Sequence, residues 1–235
     1  MCYLNAELEF RATIKMKKIF YTLFIMLSIL RGHAQNSTLV SKNFKFKDGI
    51  YEQFEQLQRN QPSIVWDSLE TRLATNPQSL QMFIETIKHK RTHDSVAVNK
   101  LWGVVIDGIP YVRLPNESQK KSAPVFAGMI LRGKLCYFQF DETEERQVPI
   151  TAYIPQTGQP YITRNITERR DVLREKLIKF ETGELVDFTL FNFKQLIQED
   201  KDLLSTVNAL KPKEISEKLF KCLLIYNDRN PVYLK

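Results

Sequence analysis

Apolar residues in the N-terminal third of the chain recur at intervals of three or four positions. This spacing is typical of one face of an amphipathic helix and predicts three helical segments. The first ends before Gln61-Pro62 and the second starts at Trp66. The third starts at Asn76-Pro77, an asparagine cap followed by proline in the first turn. The apolar positions are Tyr51, Phe54 and Leu57; Trp66, Leu69 and Leu73; and Leu80, Phe83, Ile84 and Ile87.

The middle of the chain has short apolar runs separated by turn residues, which is the pattern of β-hairpins. Asp107-Gly108 separates the first pair of runs and supplies the positive φ angles of a tight type I′ turn. Gly133-Lys134 separates the second pair, and the polar segment 141–146 is predicted to be the turn that closes this hairpin. The predicted hairpins comprise residues 101–114, 127–140 and 177–188.

The last quarter of the chain returns to helical spacing. Three apolar sets, the last of them after Pro212, predict three helices, and a turn at 227–231 precedes a short strand at 232–234. This order predicts an α+β fold with an antiparallel hairpin-rich middle flanked by N-terminal and C-terminal helices. Because no segment rich in proline, glycine or serine marks a boundary, residues 35–235 are predicted to form a single α+β globular domain.

Residues 16–34 have the three parts of a cleavable secretory signal: a basic start, an apolar stretch and small residues at the end. The apolar stretch is shorter than the roughly 20 residues of a membrane-spanning helix. Cleavage between Ala34 and Gln35 is therefore favoured over a retained anchor, and no transmembrane span is expected afterwards. We expect an exported protein of the periplasm, cell envelope or extracellular space. Acidic residues in segment 1–15 are atypical of such a signal and predict an over-extended gene start.

Composition and charge exclude some classes of partner. The chain is 43% hydrophobic and 11% aromatic, which predicts a soluble globular protein. Its formal net charge of +7 falls to +4 without residues 1–34, which contain five basic and two acidic residues. A nucleic-acid-binding protein concentrates its basic residues, whereas the dense basic run here is confined to 88–91. We therefore expect no nucleic-acid partner.

Candidate catalytic and metal-binding patterns are few. His89 and His93 have the spacing of paired ligands on a helix, but the basic run around His89 repels a cation, so we expect no metal site and no cofactor. The acidic run 141–145 lacks the spacing of a calcium loop. Catalytic residues stay unknown, because neither a Gly-x-Ser-x-Gly elbow nor a phosphate-binding glycine loop is present. Cys136 and Cys222 lie in apolar runs, which favour buried thiols, and export would permit a disulfide.

Scattered motifs over most of the mature chain resemble a family of uncharacterised exported bacterial proteins. The resemblance implies export and a shared fold, and because the family has no assigned activity it transfers no catalytic residues. The residues that carry it are Lys47-Asp48-Gly49-Ile50-Tyr51 with Phe54, Asn60 and Pro62-Ser63; Leu101-Trp102-Gly103 with Asp107-Gly108 and Tyr111; and Gly183-Glu184, Asp200, Tyr226-Asn227, Arg229, Pro231 and Tyr233.

The candidate binding residues are four tyrosines on or near predicted strands: Tyr111, Tyr137, Tyr153 and Tyr161. Aromatic side chains on strands stack on sugars or contact a protein partner, and they also serve as ordinary half-buried strand packing. The sequence favours a non-catalytic exported protein that binds a partner protein or a glycan. The alternatives are a secreted hydrolase that uses two carboxylates and a structural component of the cell envelope.

Overall fold

Ten strands form one antiparallel sheet in the part of the chain that the structure describes. The structure is a computed structural model, and it describes residues 38–114 and 124–235. The predicted signal 16–34, its cleavage site at Ala34 and Gln35, and the segment 1–15 lie outside the described residues. Both described ranges belong to one compact unit, Thr38–Lys235.

The elements are numbered in chain order. The strands are β1 (Gly49–Tyr51), β2 (Ile64–Val65), β3 (Leu69–Asn76), β4 (Gln81–His89), β5 (Gly103–Ile106), β6 (Ile109–Arg113), β7 (Val125–Leu131), β8 (Leu135–Tyr153), β9 (Pro160–Lys179) and β10 (Leu185–Asp187). The α-helices are α1 (Phe54–Gln58), α2 (Leu190–Leu196), α3 (Lys201–Asn208) and α4 (Pro212–Arg229), and 3₁₀ turns lie at Trp66–Ser68 and Val98–Lys100.

The sheet is built from neighbouring hairpins. Its main order is β10-β9-β8-β7-β6-β5-β1-β2. The β4 strand also pairs with the first half of β7, and β3 pairs with β4. All these pairings are antiparallel. Seven of them join consecutive strands, and two, β1–β5 and β4–β7, join strands that are distant in the chain.

The predicted α+β fold with helices on both flanks is wrong. Of the described residues 44% are in strands and 23% in helices, and the N-terminal flank contains one short helix, α1, followed by strands. In the third predicted helical segment, part of the misleading spacing comes from a β-bulge. Arg72 pairs with Thr86 and Leu73 with Ile84, so Glu85 is an extra residue in β4. The bulge makes Ile84 and Ile87 both buried, and their i, i+3 spacing imitates a helix.

The three predicted hairpins are confirmed. In the first, Asp107 and Gly108 have φ angles of 54° and 78°, as a type I′ turn requires. The other two correspond to β7–β8 and β9–β10. The predicted polar turn at 141–146 is wrong, because β8 continues through these residues to Tyr153. These residues are polar because this part of β8 is not buried against the rest of the protein, and not because the strand ends there.

The three C-terminal helices are also confirmed, and their ends follow from local hydrogen bonds. Thr189 and Asp200 accept hydrogen bonds from backbone N–H groups in the first turns of α2 and α3. The α4 helix begins with proline, and Glu214 accepts a hydrogen bond from the backbone N–H of Lys211. No helix among the described residues is long and apolar enough to cross a membrane.

Two core clusters lie on opposite sides of β8. Phe138 packs with the N-terminal segment, including Phe46 and Phe54, whereas Tyr137 packs with the C-terminal helices. Adjacent residues face opposite clusters because strand side chains alternate. A third cluster lies between the β3–β4 hairpin and β5, and includes Ile84.

Candidate functional site

The candidate site is a ribbon formed by the distal parts of β8 and β9. The two strands pair along their length, from Leu135 opposite Lys179 to Tyr153 opposite Pro160. The first six residues of β8 are buried except Gln139, but no residue from 141 to 173 is buried. We call residues 141–173 the arm. At about 3.3 Å per residue, one of its strands is about 40 Å long.

The edges of the arm form hydrogen bonds to the rest of the described structure, which we call the body, near the base of the arm. On the β8 side, the Gln81 side chain donates a hydrogen bond to the carbonyl oxygen of Asp141, at 3.2 Å. On the β9 side, the backbone N–H of Phe188 donates to the carbonyl oxygen of Glu175, at 2.9 Å. Beyond these two contacts, the backbone of the arm makes no hydrogen bond to another described element. Both edges of the ribbon are therefore open.

One face of the arm carries the odd-numbered residues, and we call it the polar face because of the side chains in its middle part. Leu173 at its base and Tyr161 near its tip are exposed exceptions. Four cross-strand pairs on this face are joined by side-chain hydrogen bonds or ion pairs, at 2.7 to 3.0 Å: Thr143–Asp171, Glu145–Arg169, Gln147–Thr167 and Thr151–Thr163. These contacts hold the two strands in register without any contribution from a core.

The opposite face, which we call the apolar face, carries the even-numbered residues of the distal arm. Val148 lies opposite Ile166, Ile150 opposite Arg164, and Ala152 opposite Ile162. Ile150 is 49% exposed, and Ile162 and Ile166 are also exposed. Segregation of apolar residues onto one face is typical of a strand pair that packs against something, yet no described element covers this face.

The charged residues of the arm differ in whether they form ion pairs. Arg174 forms ion pairs with Glu142, at 2.7 Å, and with Glu144. Its hydrogen bond to Glu142 raises the pKa of the guanidinium. In contrast, Arg164 and Glu168 form no ion pair with another described residue. Unpaired charges beside exposed apolar residues are available to a partner.

Pro149 indicates which residues of the arm direct their backbone N–H and C=O groups away from the paired strand. Proline lacks an N–H group, so the pair Pro149–Asn165 fits a position of the antiparallel ladder that is not hydrogen-bonded. The side-chain hydrogen bonds between odd-numbered residues of the polar face are consistent with this assignment, because opposing side chains are closest at positions of the ladder that are not hydrogen-bonded. The outward-facing carbonyls of Asp141 and Glu175 also agree. Odd-numbered arm residues therefore direct their backbone N–H and C=O groups outwards.

The structure brings together two of the four predicted tyrosines. Tyr153 and Tyr161 lie near the tip of the arm, where they are 62% and 75% exposed. Tyr137 is buried in the body and donates a hydrogen bond to Glu175 at 2.6 Å, and burial raises the pKa of its phenol. Tyr111 lies half-buried in a separate groove. The four residues therefore do not form one site.

The groove around Tyr111 is a second candidate binding surface. It is a hollow of about 590 Å³ whose lining includes Trp66, Asn76 and Asp107. A Cβ atom at Gly128 would approach the Tyr111 ring to 3.0 Å, so glycine permits the close packing of this wall. Trp66 was not among the predicted site residues, because its spacing placed it in a helix.

A neighbouring hollow of about 560 Å³ shares Trp66 and Asp107 with the groove and adds Asp48 and Asp67. Asp48 accepts a hydrogen bond from the backbone N–H of Gly108, at 2.8 Å, and so supports the β5–β6 turn. Among the described residues, no three histidine, cysteine, aspartate or glutamate side chains are placed to hold a metal ion.

The remaining candidate residues lie apart from both surfaces. His89 is the last residue of β4 and His93 lies in the following turn with φ of 60°, so this segment is not the predicted helix and the two imidazoles do not share a helix face. Cys136 and Cys222 are buried free thiols that belong to opposite core clusters, and neither forms a disulfide within the described residues. Burial raises the pKa of the Cys136 thiol to about 11, which disfavours the reactive thiolate.

Comparison with known proteins does not identify the site: no family model, no curated protein and no solved structure matches the chain. Several residues that carry the resemblance to exported bacterial proteins have structural contacts. Asp200 caps α3 and pairs with Arg229 at 3.1 Å, and Asn227 hydrogen-bonds to the backbone of Leu135. The resemblance therefore concerns residues of the body and none of the arm, and membership of that family stays a prediction.

Proposed function

We propose that the mature protein is an exported, non-catalytic binding protein that contacts a partner protein through the arm. The observation that carries this proposal is the segregation of the arm into a self-paired polar face and an uncovered apolar face. A strand pair whose only role is to connect two elements has no need of an apolar face.

The energetics of the arm support a binding role. An isolated two-stranded hairpin is marginally stable in water, and further strands or a packed surface stabilise it. Burying the exposed Ile150, Ile162 and Ile166 against a partner would gain roughly 25 cal/mol per Å² of apolar surface. A partner therefore stabilises the arm while the arm supplies the binding surface.

The partner is sought by photo-crosslinking at the tip of the arm. p-Benzoylphenylalanine replaces Tyr153 or Tyr161 in the full chain, and the cells that normally produce the protein are irradiated. We expect cross-linked products at both positions, identified by mass spectrometry. The same residue in place of Phe191, which is 71% exposed on α2, is the control. Absence of products at the arm, or equal yield of the same products at the control, would contradict the proposal.

Export is tested separately. The order of basic, apolar and small residues in 16–34 supports a mature N-terminus at Gln35. N-terminal sequencing of protein recovered from the cell envelope or the medium checks this. Recovery of the chain there with residues 16–34 still attached would show that the segment is not cleaved.

A glycan is the second candidate ligand, because the groove combines the Trp66 and Tyr111 rings with the Asn76 amide and the Asp107 carboxylate. Aromatic faces stack on sugar rings while amides and carboxylates bind hydroxyl groups. A panel of soluble oligosaccharides, titrated against the wild type and Trp66→Ala, tests this. Binding that Trp66→Ala leaves unchanged counts against the groove. Hydrolysis of a panel member would instead favour the carboxylate-dependent alternative, with Asp67 and Asp107 as the residues to replace.

A further inference from the structure

The two open edges of the arm differ in their ability to accept another strand. On the β8 edge, Pro149 removes an outward N–H group, and proline on an edge strand blocks strand addition. On the β9 edge, residues 161–173 contain no proline and end shortly before Lys176, where the pairing of β9 with β10 begins. The β9 edge therefore offers a continuous row of outward backbone donors and acceptors, whereas the β8 edge does not.

The sequence of the β9 edge is self-complementary in one antiparallel register. If two copies pair about a two-fold axis at Ile166, Arg164 of each copy lies opposite Glu168 of the other. Ile166 then lies opposite its counterpart, and outward-facing Asn165 lies opposite outward-facing Thr167. Opposite charges directly across an antiparallel pair are stabilising. Within one chain, neither Arg164 nor Glu168 has an ion-pair partner among the described residues.

Neighbouring registers lose this complementarity. An axis at Thr167 places Arg164 opposite Arg170 of the second copy, and an axis at Glu168 places Glu168 opposite itself. Like charges in these positions are destabilising. An axis at Asn165 places Arg164 opposite Ile166 and so leaves the charge without a partner. For the two β9 strands to form hydrogen bonds, odd-numbered residues of one copy have to lie opposite odd-numbered residues of the other, because only these direct their backbone groups outwards. The two-fold axis therefore passes through a residue and not between two residues.

We infer that the arm binds the arm of a second copy of this chain, through antiparallel pairing of the two β9 edges about a two-fold axis at Ile166. This inference rests on the proposed function and names its partner. The product is a four-stranded sheet in which each marginal two-stranded ribbon stabilises the other. Two strand edges form a small interface, so we expect dimerisation at roughly micromolar concentrations.

Charge reversal with complementation tests the register. Arg164→Glu places two glutamates opposite each other across the axis, and Glu168→Arg places two arginines there. We expect each variant alone to be monomeric by sedimentation velocity at concentrations where the wild type is a dimer. An equimolar mixture of the two variants restores both ion pairs, so we expect heterodimers. A wild type that is monomeric up to roughly 100 μM, about a hundredfold above the expected range, would overturn the inference, as would variants that dimerise like the wild type.

Proline substitution tests the role of the backbone edge. Thr167→Pro removes an outward N–H group from the β9 edge, and Thr151→Pro removes one from the β8 edge. Both threonines donate or accept one cross-strand side-chain hydrogen bond, so the two variants are matched in the contact that they lose. We expect Thr167→Pro to abolish dimerisation and Thr151→Pro to preserve it. Equal behaviour of the two variants, with circular dichroism showing both folded, would exclude pairing through the β9 edge.

Cross-linking separates failure of this inference from failure of the proposed function. Products at Tyr153 or Tyr161 that contain two copies of the chain support both. Products that contain only other proteins leave the arm as a binding surface and overturn self-pairing. No product at either position overturns both.

Discussion

The proximal and distal parts of β8 belong to one strand, but their side chains have opposite environments. Phe138, in the proximal part, is 1% exposed and contacts the N-terminal core cluster, while its neighbour Tyr137 contacts the helical cluster. Ile150, in the distal part, has an apolar side chain on a regular strand and no cover from a described element. Regular strand pairing therefore does not by itself indicate a core.

The difference shows that two kinds of force hold the same hairpin. The proximal part is stabilised by burial of apolar surface on both faces, which is the dominant driving force of folding. The distal part is held by its backbone ladder and by cross-strand contacts such as Gln147–Thr167. Such contacts each contribute less than about 1 kcal/mol, and they join side chains of the polar face, so they do not cover the apolar face.

The largest effect is expected in the proximal part. Phe138→Ala removes a fully buried ring and leaves a cavity, so we expect the free energy of unfolding to fall by about 3–5 kcal/mol. Phe191→Ala makes the same change at an exposed position and should alter it by less than about 0.5 kcal/mol. Urea unfolding followed by circular dichroism measures both. A small effect of Phe138→Ala would contradict the assignment of this part to the core.

A smaller effect is expected where α4 meets the start of β8. Asn227 accepts a hydrogen bond from the Leu135 N–H at 2.9 Å and donates one to the Leu135 carbonyl at 2.8 Å. Asn227→Ala leaves both backbone groups without these partners, which should cost about 1–3 kcal/mol in unfolding free energy. Asn99→Ala, at an exposed position, is the control. Equal stability of the two variants would show that water replaces the Asn227 amide.

Alkaline pH should weaken the proximal core. Burial raises the pKa of the Cys136 thiol from 9.0 to about 11. The unfolded chain therefore loses this proton first, and the stability present below pH 9 is lost as pH rises from about 9 to 11. One such group changes the unfolding free energy by at most about 1.4 kcal/mol per pH unit. Cys136→Ala should make this slope less steep between about pH 9 and 11, where the buried tyrosines also contribute because burial raises their pKa; an unchanged slope would assign it to those other groups.

The smallest effect is expected in the distal part. Ile150→Ala removes an exposed side chain, so we expect the unfolding free energy of the monomer to change by less than about 0.5 kcal/mol. The measurement is made at protein concentrations well below the micromolar range in which the inferred dimer would form. A loss above about 1 kcal/mol would show that the apolar face is packed against part of the same chain, and the contrast with Phe138 would then disappear.

The tight turns and the C-terminal helices were predictable from local sequence. Asp107-Gly108 encodes its turn by permitting positive φ angles, and Pro212 with Glu214 encodes the start of α4. The identity of β4 was not predictable in this way, because the bulge at Glu85 breaks the alternation that a strand normally shows. Bulges are recognised from the pairing of two strands, and spacing along one strand does not reveal them.

The candidate site was predicted only in part. Tyr153 and Tyr161 were named as strand aromatics, and they lie near the tip of the arm. Tyr137 satisfied the same criterion and is buried, because its place on β8 lies under the C-terminal helices. Val148, Ile150 and Ala152 alternate with the residues between them along the chain. This alternation is typical of a strand and predicts that β8 continues beyond residue 146.

The sequence by itself determined the elements whose causes are local: turns that need positive φ angles, the start of α4 at Pro212, and the even-numbered apolar positions of the distal arm. Only the tertiary structure decided which of these apolar positions are covered. Burial depends on residues far away in the chain, such as Phe46 and Phe54 against Phe138, and the same alternating pattern has no such cover at Ile150. Side-chain alternation is a property of one strand, whereas burial is a property of everything that packs against it.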